Sequence, residues 1–244
     1  MAGRKPFSDS RGQLSSKAAE EIDRVFEGIE DEFWEEDHRE PTRKEIAQED
    51  AYLLRRQAQF RLAADAVAKA LSAFPEVAAI ALFGSVAVPL KREVPRFRQY
   101  RRAGIELWHE CKDVDLAVWI DRLDNLRELA RAQGRAVQRL HDETGIGVAH
   151  HQVDTFLIEP GLIAPGNNRY LGRLCWYNQC PKGKRECLVP GCGREKFLRQ
   201  HEDFTLRADA LAEDRIIRLY DRATGFPRSP PPVPGVELIA KNRL

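Results

Sequence analysis

Three short apolar runs, each joined to an acid or to a glycine–serine turn, limit what this chain can fold into. Val77 to Phe83 is apolar throughout, has the length of a strand, and stops at Gly84-Ser85. Val114 to Ile120 follows Lys112-Asp113 and carries Asp115 as its second residue. Val153-Asp154-Thr155-Phe156-Leu157-Ile158 repeats that design, with one acid set into an apolar run. Side chains at i and i+2 of a strand share a face, with Cα atoms roughly 6.5 Å apart. Asp113 and Asp115 are therefore expected to project together, while Val114, Leu116, Val118 and Ile120 face a core. Two carboxylates on one face repel each other unless a cation sits between them, and an all-oxygen ligand set suits magnesium. Asp154 supplies a third acid, as a pair of metals about 3.5–4 Å apart would need. A Gly-Ser turn leaving a strand can offer backbone N–H groups and a hydroxyl to phosphate. Together these features imply phosphoryl or nucleotidyl transfer.

Gly84-Ser85, Asp113-x-Asp115 and Asp154 resemble the motif set of the nucleotidyltransferase superfamily with the DNA polymerase beta-like fold, over roughly residues 74–159. The resemblance implies that Gly84 and Ser85 contact the phosphates of a nucleoside triphosphate. It implies that Asp113 and Asp115 ligate two magnesium ions, with Asp154 completing the acid set. The family transfers a nucleoside monophosphate to an acceptor hydroxyl and releases pyrophosphate. Two departures stand out: Lys112 occupies a place where serine is frequent, and the stretch Val86 to Cys111 is a long insertion rich in arginine and aromatic residues. An insertion of this kind costs little closure entropy.

The expected fold class is mixed α/β (α+β), a polymerase beta-like core with helical and cysteine-rich additions. The segments expected are a polar N-terminus over 1–16, a helical extension over 17–74, the core over 75–160, a Cys-rich module over 161–204, a helix over 205–225 and a Pro-rich tail over 226–244. Within the second segment, Ser16 to Trp34 reads as an acidic helix, and Thr42 with Glu45 reads as the capping box of a longer one. The packed stripe of that longer helix is expected to include Leu62, Ala63, Ala66, Val67, Ala70, Leu71 and Phe74, with Pro75 as its stop. Leu123 to Glu143 is expected to be helical, with Arg127, Arg131, Arg135 and Arg139 on a solvated face. Leu206, Ala210, Ile217 and Tyr220 recur at helical spacing in Thr205 to Ala223. His150 and His151 stand close before Asp154 as candidates for proton transfer.

Charge is balanced, 39 basic against 38 acidic residues, so no global field attracts nucleic acid. No apolar run approaches the roughly 20 residues a membrane span needs, and the polar N-terminus lacks a signal-peptide core. A cytoplasmic protein without membrane partners is expected. The cysteines then read as metal or packing residues rather than disulfides. Cys175, Cys180, Cys187 and Cys192 form a C-x4-C-x6-C-x4-C array that suits a structural zinc ion, with His201 as a competing fourth ligand to Cys175. Cys111 reads as a packing thiol.

The leading functional expectation is a magnesium-dependent nucleotidyltransferase, acting on a nucleoside triphosphate and an acceptor that is protein, RNA or small molecule. The alternatives are an inactive, antitoxin-like regulator with the same fold and a zinc-dependent nucleic-acid-binding module.

Overall fold

The computed structural model describes residues 39–160, 169–175, 196–199 and 206–227. The chain divides into two compact units, one holding described residues 39–46 and 94–106, the other holding the rest. Helix α1 spans Arg43–Leu71. The expected capping box forms: Thr42 N–H donates to Glu45 Oε2 at 2.7 Å, and Glu45 N–H donates to Thr42 Oγ1 at 3.3 Å. Its buried stripe is Leu53, Gln57, Phe60, Ala63, Ala64, Val67, Ala68 and Leu71. Leu62, expected in that stripe, is exposed.

The larger unit is built on a six-stranded mixed sheet, with mixed α/β character overall. In chain order the strands are β1 (Val77–Phe83), β4 (Val114–Ile120), β5 (Val153–Glu159), β6 (Arg169–Leu174), β7 (Leu198–Arg199) and β8 (Ile217–Asp221). Arg92–Glu93 (β2) and Leu107–Trp108 (β3) pair separately as a small ladder. Across the sheet the order is β7-β6-β5-β4-β1-β8. All neighbours are antiparallel except β4 and β5, which run parallel. Helix α2 (Arg98–Arg102) is short, and α3 (Leu126–Thr144) is the connection from β4 to β5. A parallel pair requires such a crossover.

Strand alternation sorts the side chains into two layers. Ile80, Leu82, Leu116, Val118, Ile120 and Leu157 face α1 and α3 in the main core, against Phe60, Val67, Leu71, Leu129 and Val137. The opposite face carries Phe83, Ala117, Phe156 and Ile158, covered by Leu206, Ala210, Leu211 and Ile216. The central strands are thus buried on both faces, which explains why they read as nearly unbroken apolar runs.

One expected element is corrected. The segment expected as a helix from Thr205 to Ala223 instead forms two 3-10 turns, Ala208–Leu211 and Glu213–Arg215, and then strand β8. Its β-branched and aromatic residues pair with the second edge of β1, Ile80 opposite Tyr220 and Leu82 opposite Ile217. An open edge on a central strand outweighs a weak helical period.

Candidate active site

Strand pairing alone gathers the motifs. Antiparallel pairing of β1 with β4 sets Phe83 opposite Asp115, so the Gly84-Ser85 turn emerges beside the start of β4. Parallel pairing of β4 with β5 sets Asp115 directly opposite Asp154. Neighbouring strands lie about 4.8 Å apart, so these two carboxylates flank each other on the aromatic face of the sheet. Asp113 lies one residue before β4, outside the ladder and exposed, rather than on the strand with Asp115 as the sequence pattern suggested. The ladder stops there because β5 begins at Val153, the partner of Val114, and β1 has already ended opposite Asp115, leaving no partner for Asp113. Asp113 remains near enough to act electrostatically on both other acids.

Gly84 takes φ +75°, and a Cβ placed on it would land on the Asp115 carboxylate. Both the backbone conformation and the close approach demand glycine here. Residues Gly84–Val86 form a single 3-10 turn. From α1, Gln57 Nε2 donates to the carbonyls of Ser85 at 3.3 Å and Val88 at 2.8 Å, and Arg61 Nε donates to Val86 O at 2.9 Å. Arg56 also reaches from α1, to Gly147 O at 2.7 Å and Gln152 Oε1 at 3.0 Å, while Gln152 Nε2 donates to Lys112 O at 3.0 Å. One helix therefore holds the turn after β1 and the approaches to β4 and β5.

The electrostatics are those of a crowded acid site. Burial first, then Asp154 and Asp113, push Asp115 up from 3.8 to about 7, against a smaller opposing pull from Arg173. Asp154 is raised mainly by burial, with Arg173 pulling it back down. Arg173, on β6, forms an ion pair with Asp154 and sits 5.9 Å from the Phe156 ring centroid. Phe156 in turn packs edge-on against Phe83 at 5.2 Å. Arg173, Gln57, Arg61 and Arg56 were not among the residues singled out from sequence. The available signal was Gln57 and Arg61 set one turn apart inside an otherwise apolar helical stripe.

The donor set fits a hard divalent cation: carboxylate oxygens, with Asp115 in a setting where a nearby positive charge would reverse its shift. Among the described residues, no three His, Cys, Asp or Glu side chains stand close enough to hold a metal ion as placed.

Other candidates fall elsewhere. Cys111 is buried, and burial raises its thiol, with the Ser85 side chain pulling it back down. His150 sits against Gly134 of α3, where a Cβ would fall 2.8 Å from its ring, so it braces the helix layer. Lys112 is exposed, as are Arg127, Arg135 and Arg139. Cys175 is buried just after β6, whereas Cys180, Cys187, Cys192 and His201 lie outside the described residues. A cavity of about 770 Å³ opens against Ala79 and Trp119. Trp119 is four residues along β4 from Asp115, roughly 13 Å, so the acids rather than this cavity mark the candidate chemistry.

No family model, curated protein or solved structure matches this chain. No helix among the described residues is long and apolar enough to cross a membrane.

Proposed function

We propose that this chain is a magnesium-dependent nucleotidyltransferase of the polymerase beta-like kind. The observation that carries the reading is the convergence of the Gly84-Ser85 turn with Asp113, Asp115 and Asp154 at one end of the sheet. Asp113, Asp115 and Asp154 would hold magnesium, which supplies Lewis-acid stabilisation of charge on phosphoryl oxygens. Gly84, lacking a side chain, leaves the Asp115 carboxylate accessible from the turn, and Ser85 offers a hydroxyl to a phosphate. Gln57 and Arg61 hold the turn's carbonyls, which keeps its N–H groups in a fixed orientation. In the reaction an acceptor hydroxyl oxygen bonds to the α-phosphorus, the bond to the β-phosphate oxygen breaks, and pyrophosphate and a proton leave.

The test is incubation of the protein with each labelled nucleoside triphosphate and magnesium, followed by a search for label on protein, RNA and small molecules. Label should appear with wild type and vanish with Asp115→Ala. Wild-type turnover in that variant would refute the assignment.

One observation favours the second reading, an inactive regulator. Arg173 already neutralises Asp154 from within the protein, as a degenerate site relieved of its metal would need. Calorimetry separates the two, since an enzyme binds both magnesium and nucleotide and a degenerate site binds neither.

A further inference from the structure

We infer that the insertion between β1 and β4 carries a binding surface for single-stranded nucleic acid, centred on Phe97 and the arginines around it. The segment Val94–Glu106 contains four arginines, Arg96, Arg98, Arg101 and Arg102, against one acid, Glu106, in a chain whose charges otherwise balance. All four arginines are exposed. Arg98, Arg101 and Arg102 stand at i, i+3 and i+4 of α2, which places them on one face of the helix. Among the described residues, Arg96, Arg101 and Arg102 enter no ion pair, so these three charges are available to an anionic partner.

The aromatic residues say which anion. Phe97 is 51% exposed at the start of α2, while Tyr100 behind it is buried. The two rings meet edge-on at 6.5 Å, so Tyr100 fixes the Phe97 ring while one side of it stays open. An exposed, braced aromatic ring among cations is what base stacking with phosphate contact requires. The segment holds arginine and no lysine, and the planar guanidinium both forks onto phosphate and stacks on bases. A membrane-binding helix would instead present a broad apolar face, whereas here a single ring lies among charges. This inference does not depend on the transferase reading, since it concerns binding without nucleotide or metal.

The test is fluorescence anisotropy of a labelled oligouridylate of about 12 nucleotides with the full chain in chelator. Four phosphate contacts on a single strand give a log–log salt slope of about −3, hence about a fifty-fold loss of affinity from about 50 mM to about 200 mM salt. Arg101→Ala with Arg102→Ala should make that slope shallower by about 1.4. Phe97→Ala should weaken binding at least about fivefold and Phe97→Tyr should restore it. These residues are exposed, and an unchanged circular dichroism spectrum will confirm that each variant folds. Absence of binding, or binding indifferent to these substitutions, overturns the inference. So does equal affinity for a duplex of the same length, or binding confined to phosphatidylserine vesicles.

Discussion

Asp115→Asn should make the metal-free protein more stable, and the gain should grow with pH. Burial and the neighbouring acids raise Asp115 from 3.8 to about 7 in the fold. The unfolded chain releases that proton near the ordinary value, so the folded state binds it more tightly. The stabilisation is therefore full below about pH 4 and is lost as pH rises through about 7. At about 1.4 kcal/mol for each pH unit between the two values, the ceiling is about 4 kcal/mol. Water at the sheet end and sharing of the proton with Asp154 reduce this, so about 2 kcal/mol is the expected gain at about pH 8. Asparagine keeps the size of the side chain and removes the charge. Urea unfolding in chelator, from about pH 5 to about pH 8, reads the difference directly. For a chain of this size the midpoint of thermal unfolding should rise by about 4–8 °C at the alkaline end. Magnesium at about 100 times its dissociation constant should stabilise wild type by about 2.7 kcal/mol and the variant far less. Parallel pH profiles for the two proteins, or a variant weaker throughout, would refute the reasoning.

Two further substitutions probe the same end of the sheet. Gly84→Ala forces a left-handed alanine and drives its Cβ into the Asp115 carboxylate, so denaturant unfolding should show a loss above about 1 kcal/mol, with transfer activity abolished. Arg173→Met removes the protein's own countercharge to Asp154. It should destabilise the chelated protein by about 1–3 kcal/mol and enlarge the stabilisation by magnesium; a melting curve insensitive to both would show that the ion pair does not compensate the acids.

What the sequence disclosed about the fold is what local chemistry encodes. The Thr42–Glu45 box opens α1 as expected, because capping is settled within a few residues, whereas the helix ends at Leu71 and a turn intervenes before the Pro75 expected to stop it. The strands β1, β4 and β5 were legible because burial on both faces leaves an apolar run bounded by turn residues. Strand β8 was not. Its apolar residues fit a helical period by coincidence, and what decides its state is the unpaired edge of β1, more than a hundred residues earlier in the chain. The exposed position of Asp113 was hidden for a related reason, since β4 begins where β5 offers Val153 as the partner of Val114 rather than where its own alternation begins.

The candidate site divides in the same way. Gly84, Ser85, Asp115 and Asp154 announce themselves because each breaks the pattern of its own strand or ends it. The residues that hold them do not, because their partners are remote: Gln57 and Arg61 read as polar positions on an amphipathic helix, yet their partners are main-chain carbonyls of the turn after β1. A buried glutamine on a helix must satisfy its amide somewhere, and here the carbonyls of Ser85 and Val88 satisfy it. Arg173 reads as one arginine among many until β5 and β6 pair, setting it beside Asp154. Together these contacts show a division of labour. In the proposed transferase the acids and the turn would provide the reactive chemistry, and the crowding of those acids conflicts with folding, as burial and its neighbours raise Asp115. The helix and β6 supply the hydrogen bonds and countercharge that let such a cluster persist in a folded chain.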